Sequence, residues 1–245
     1  IYIDPPYNTG KDFVYSDRFA EGKKGMLNFE AIIDSDYKTY SNHFPAYIGG
    51  SGIALLAFRN DPGSEDYPVD RWLSLLERQI KRVLTESFGD KGFFAEGHGP
   101  SQMAVNTGFV SLLQAARFSW GRDFISEYSS APWLSLRWAM ELIPGGDKPW
   151  YPNFRHSSYG KDFIANDSFS HAGAFVQGLG AVRDEAEQAA LLWTYRKAVE
   201  QQRPLEIYDA WIYPIRAVYA LINWPLGLEP KNPGEVLGHV NVDEF

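Results

Sequence analysis

The chain has no cysteine, which rules out disulfides, thiolate nucleophiles and cysteine-bound metals. It is poor in clustered cations: no Lys/Arg run is longer than Lys23-Lys24, and the formal net charge is −8. Proteins that grip a duplex neutralise phosphates with grouped Lys and Arg, so this balance counts against nucleic acid as the main partner. No apolar run approaches the ~18 residues of a membrane span, and no secretory leader is visible. No His-x-x-x-His or comparable ligand spacing occurs, so no metal is expected.

What is present is an ordinary globular composition: 245 residues, 44% apolar and 22% charged. Aromatic residues make up 16%, including eight Trp and fourteen Tyr, side chains that fill cores and line sugar-binding grooves alike.

The periodicity is helical. Over 69–89, Val69, Trp72, Leu73, Leu76, Ile80, Val83 and Leu84 fall on one stripe at i, i+3, i+4, i+7 spacing, with Gly89 as a stop. Further helices are expected over 47–59, 101–121, 131–146, 183–202 and 206–224, the last kinked at Pro214. In 183–202 acidic residues come early and basic ones late, as the helix dipole favours. Loops rich in Gly, Pro and aromatics are expected at 90–100, 145–170 and 225–238. Strand–helix alternation, which a parallel sheet requires, is missing. The expected class is therefore all-α, with an irregular segment over 1–30, a helical domain over 31–238, and the start of a β domain over 239–245.

Two stretches carry resemblances. The opening "DPPYNTGKDFVYSDRF" resembles the catalytic segment of type III restriction-modification DNA methyltransferases. That resemblance implies a flipped base held by Asp4, Pro5, Pro6 and Tyr7, with S-adenosylmethionine as cofactor and a cytoplasmic location. The one candidate cofactor turn, Gly50-Ser51-Gly52, has no strand or acidic residue before it. It reads better as a helix using small residues for close packing. Residues 1 to about 22 are accordingly expected to be foreign to the helical domain, with Asp4 and Tyr7 at its margin.

From about residue 34 onward, "YSNHFPAYIGGSGIALLAF", "GFFAEGHGPSQMAVNTGFVSLLQAARFSWGRDF" and "DSFSHAGAF" resemble the helical α/α toroid of heparinase II/III-like polysaccharide lyases. The helix count suits an incomplete or shortened toroid with long aromatic loops. The resemblance implies β-elimination on an acidic, uronate-containing polysaccharide, no cofactor, and a periplasmic or secreted location. Such chemistry needs the uronate carboxylate neutralised and a base placed beside the adjacent carbon. A tyrosine serves as that base only where cations stabilise its anion.

Residues of these types stand at loops and helix openings. Tyr159 is the proposed proton-transferring group, His156 or His98 its partner, Asn42 the carboxylate neutraliser, and Glu96 a further catalytic candidate. His43, Trp150, Tyr151, Arg155, His171 and Trp133 are the substrate-binding candidates, the aromatics as stacking platforms. A noncatalytic carbohydrate-binding toroid would keep the aromatic loops and lose the base. A glycoside hydrolase would need two opposed carboxylates, and Glu96 with Asp162 or Asp167 is the pair on offer.

Overall fold

The computed structural model describes residues 30–31, 33–34, 38–88, 90–94, 108–140, 178–197, 218 and 221–237. Among these the chain is helical, with no strands and one isolated bridge between Phe88 and Phe94. The expected segment over 1–30, apart from Glu30, and the expected β domain over 239–245 lie outside the described residues.

Helix α1, His43–Phe58, begins four residues earlier than the apolar pattern suggests. Pro45 sits in its first turn, where the missing N–H costs nothing. Gly50-Ser51-Gly52 lies in the middle of this helix, with no strand before it among the described residues. Helix α2, Val69–Arg82, buries Trp72, Leu76 and Ile80 of the stripe read from the sequence, with Gln79 beside them, and places Lys81 and Arg82 at its carboxyl end. It continues as a π-helical turn, Val83–Ser87, before Phe88 turns extended. Each fully buried leucine of this stripe, such as Leu76, is worth roughly 1.5–3 kcal/mol of transfer free energy.

Helix α3, Val110–Ala115, runs into a second π turn, Ala116–Trp120, and ends at Gly121, whose φ of 72° is open to glycine at little cost. Short α4, Phe124–Glu127, is capped by Asp123, whose carboxylate accepts from the Ser126 N–H. Helix α5 spans Trp133–Met140 and α6 spans Glu185–Tyr195, where Asp184 caps the Glu187 N–H at 2.9 Å. A last short helix, α7, covers Pro233–Leu237 within the stretch read as loop. Of the helix expected over 206–224, residues 218 and 221–224 are described; 218 and 221–223 are helical, and the helix ends before Trp224.

Contacts fix how the first three helices run. The Arg82 guanidinium lies 5.2 Å from the Phe44 ring, and the Phe58 and Tyr67 rings are 5.6 Å apart, so α1 and α2 are antiparallel. Gly49 meets Phe109, Gly52 meets Leu112, and Arg59 donates to the Ser119 carbonyl, so α1 and α3 are parallel. The approach is close enough that a Cβ on Gly49 would fall 2.6 Å from the Phe109 nitrogen. Two buried clusters result. The larger joins α1 to α4 around Ile48, Leu55, Trp72, Leu76, Phe109 and Leu112. The smaller joins α5 to α7 through Leu136, Leu191, Leu192, Tyr195 and Leu237. The turn Leu179–Ala181 bridges them, placing Ala181 in the first cluster and Leu179 in the second.

Candidate functional site

Two of the sequence-proposed polar site residues fall on described backbone, and both stand at the start of α1. Asn42 is the capping position but holds helical angles (φ −60°, ψ −23°) and makes no side-chain cap bond. His43 is exposed, and its ring lies 5.6 Å from that of Tyr47, one turn along. Two successive turns lead in, with Ser41 N–H donating to the Lys38 carbonyl and Phe44 N–H to the Ser41 carbonyl, each at 3.0 Å.

The parallel arrangement of α1 and α3 decides what else is at this end. The first described residue before α3 is Gly108, and it touches α1 at Gly49 and Gly50. Six residues of helix, roughly 9 Å, separate His43 from that contact. The carboxyl end of α2 is here too, through Arg82 and Phe44, and Phe88 to Phe94 follow directly. Segment 95–107, which holds Glu96 and His98, joins Phe94 to Gly108, and Gly108 packs against the middle of α1. The segment itself lies outside the described residues, as do Trp150, Tyr151, Arg155, His156, Tyr159 and His171. So do Asp4, Pro5, Pro6 and Tyr7, and the carboxylates Asp162 and Asp167.

Trp133, the remaining candidate, opens α5. It is partly buried against the second cluster, and the Lys91 ammonium lies 4.2 Å over its ring, covering one face. Lys91 is held there by an unusual backbone: its φ of 59° is the only positive φ outside glycine among the described residues. Gly92 follows so tightly that a Cβ would fall 2.2 Å from the Trp133 carbonyl oxygen. Beneath this contact, Arg137 is 1% exposed, and its Nε donates to the Leu134 carbonyl at 3.4 Å. Sequence reading passed over both cations. Arg137 had a visible signal, an arginine set inside the apolar run "PWLSLRWAM", whereas the turn that brings Lys91 over Trp133 had none.

Two carboxylates away from this end, Glu77 and Asp123, are engaged in ion pairs. Glu77 takes a bidentate pair from Arg122 at 2.5 and 2.9 Å, with Lys81 at 2.6 Å. The Arg122 guanidinium, and then Lys81, hold the Glu77 carboxyl below its usual range. Asp123 accepts from Arg183 at 3.1 Å and faces Arg117 at 3.6 Å. Glu187 is the opposite case. Burial pushes its carboxyl up, Asp184 adds to this, and Lys91 opposes it.

A surface cleft of about 680 Å³ lies at the far end of α1, lined by Ala54, Ala57, Phe58, Asp61, Asp66 and Tyr67. It contains none of the sequence-proposed residues, and its carboxylates repel an acidic polymer. Among the described residues, no group of three or more His, Asp or Glu is placed to hold a metal ion. Nor is any described helix long and apolar enough to cross a membrane. No protein-family model, curated protein or solved structure matches the chain.

Proposed function

We propose that the chain is a carbohydrate-active helical protein, part of an α/α toroid, that cleaves an acidic polysaccharide by β-elimination. One observation supports this reading most. Two of the three segments whose sequence resembles the lyase toroid pack as parallel neighbours, α1 with Asn42 and His43 at its start and α3 joined to segment 95–107 through Gly108, which packs on α1. Antiparallel α2 completes an up-and-down order that suits stacked helical hairpins.

In this reading Asn42 donates from its amide to the uronate carboxylate, lowering the cost of removing the adjacent proton. Tyr159, as its anion, takes that proton, with His156 or His98 supplying the positive environment. The C–H electrons form the new carbon–carbon double bond, the glycosidic C–O bond breaks, and Tyr159, now a neutral phenol, returns the proton to the leaving oxygen. No metal or cofactor enters the step.

The test is ultraviolet absorbance of the conjugated unsaturated uronate, followed over a panel of glycosaminoglycans, alginate and ulvan. Product from at least one polymer is expected. Absence of product from all of them, with the protein folded by circular dichroism, refutes the lyase reading.

A further inference from the structure

The cleft at the far end of α1 is shaped by the reversal between α1 and α2, and every residue that lines it is described. Asp61 N–H donates to the Phe58 carbonyl at 2.8 Å, Ser64 N–H to the Asp61 carbonyl at 3.0 Å and Tyr67 N–H to the Ser64 carbonyl at 3.1 Å. The buried Ser64 hydroxyl donates to the Arg59 carbonyl at 3.0 Å, and Gly63, with φ of 90°, supplies the left-handed residue that the turn needs. The Phe58 and Tyr67 rings meet edge to face at 5.6 Å, and Tyr67 in turn rests at 5.9 Å on Trp72, which is buried in the core. The walls are therefore fixed by backbone bonds on one side and by the core on the other. A volume of about 680 Å³ falls within the range of small-molecule sites, roughly 300–1,000 Å³.

The charge at this cleft has one sign. Asp61 and Asp66 line it and are exposed, and residues 60–70 hold Asp61, Glu65, Asp66 and Asp70 with no Lys or Arg. The flanking cations turn elsewhere: Arg59 donates to the Ser119 carbonyl, and Arg71 pairs with Glu30 at 2.8 Å and faces Asp34 at 3.8 Å. Among the described residues no cation pairs with Asp61 or Asp66. The carboxyl end of α1 arrives here too, and the negative end of its dipole adds to the same field. A ligand for this cleft is a cation with an apolar body. It is not a metal ion, since no group of three or more ligating side chains is gathered among the described residues. Nor is it a quaternary ammonium ion, because the Tyr67 ring is taken up by Phe58 and Trp72 and does not form an open aromatic cage. A primary ammonium group donates to carboxylates, and a methylene chain covers Ala54, Ala57 and Phe58.

We propose that the cleft between the end of α1 and the start of α2 binds an aliphatic polyamine, with its ammonium groups on Asp61 and Asp66 and its methylene spacer on Ala54, Ala57 and Phe58. The site stands apart from the carbohydrate reading above and adds a small-molecule ligand to the molecule.

Titration calorimetry on the full chain at low ionic strength tests it, with spermidine and putrescine as probes and with magnesium chloride, tetramethylammonium and 1,4-butanediol as controls. Wild type is compared with Asp61→Asn, Asp66→Asn, the double variant and Asp70→Asn, which changes a carboxylate outside the cleft lining; circular dichroism checks that each is folded. Spermidine is expected to bind more tightly than putrescine, and both more tightly than any control. Each single substitution in the cleft is expected to weaken spermidine about 3- to 5-fold and the double variant about 10-fold or more, with Asp70→Asn within about 2-fold of wild type. Absence of spermidine binding by wild type overturns the proposal. So does magnesium competing as well as spermidine, or Asp70→Asn weakening binding as much as Asp61→Asn, since either result assigns the effect to diffuse surface charge. A lysine-containing peptide that binds at least 10-fold more tightly than spermidine, and is lost in the double variant, assigns the cleft to a protein partner and likewise overturns the polyamine site.

Discussion

Three glycines in α1 stand within four residues of one another and should respond to the same substitution with opposite signs. Replacing glycine by alanine in a helix interior gains about 1 kcal/mol of intrinsic propensity. At Gly50 the new methyl meets nothing within 4 Å, so that gain is expected almost undiminished. At Gly49 the methyl falls 2.6 Å from the Phe109 nitrogen and 2.7 Å from the Gly108 carbonyl carbon. Both are backbone atoms, so no rotamer change relieves the clash, and α1 must move away from α3. Overpacking of this kind costs about 1–3 kcal/mol, and the separation also loosens the buried contacts around Leu112. The expected outcome is a net destabilisation of up to about 2 kcal/mol for Gly49→Ala, after the propensity gain is subtracted. Gly52 should fall between the two, because the methyl there meets the ends of the Leu112 and Leu76 side chains, which can turn. Urea unfolding followed by tryptophan fluorescence measures all three on one scale, and a chain of this size shifts its Tm by about 2–4 °C per kcal/mol. A Gly49→Ala variant as stable as Gly50→Ala would refute the close parallel packing of α1 on α3.

Three further outcomes follow from the charged groups. Glu77 is held below its ordinary carboxyl range, so its pairing stabilises the fold above the unfolded-state value and is lost as pH falls through the folded value. Wild type should therefore lose about 1 kcal/mol more than Glu77→Gln between pH 5 and pH 3, read from urea midpoints; parallel acid limbs would contradict the bidentate pair. Glu187 is shifted the other way, so its charge opposes folding above the folded value and the penalty vanishes as the pH drops below the unfolded one. Glu187→Gln should raise Tm at pH 7, with the advantage fading on acidification, and a lower Tm at pH 7 would count against burial as the cause. Asp184→Ala removes the cap of α6 and is expected to cost about 1 kcal/mol, whereas Asp184→Asn should cost much less.

Helix α2 was legible because its apolar stripe is narrow and its other faces are charged, so the period is unambiguous. Helix α1 was read four residues short, because its small residues give it little contrast between faces. Gly49 and Gly52 are buried where α3 crosses, while Gly50 and Ala57 are open, and composition alone does not tell these roles apart. The π turns at Val83–Ser87 and Ala116–Trp120 depend on tertiary packing at helix ends, which no local pattern encodes. Helix α7 was missed because Pro233 and Gly234 read as loop, although proline is at home in a first helical turn. At the candidate site, Asn42 and His43 were found from the residues preceding an apolar helix. Lys91 over Trp133 depends on a left-handed residue that only the folded turn reveals.

The central claim is elimination from a uronate whose carboxylate Asn42 neutralises. Its most direct measurement is the rate of ultraviolet-absorbing unsaturated product formed by wild type and by Asn42→Ala on the acidic polymer that gives the strongest signal. Removing a single donor to a developing anion costs about 10²–10³ in rate. The account predicts product from wild type and a loss of that size in the variant, with unfolding curves that nearly coincide. A wild type that forms no unsaturated product, or an Asn42→Ala variant that forms it at the wild-type rate, would contradict it.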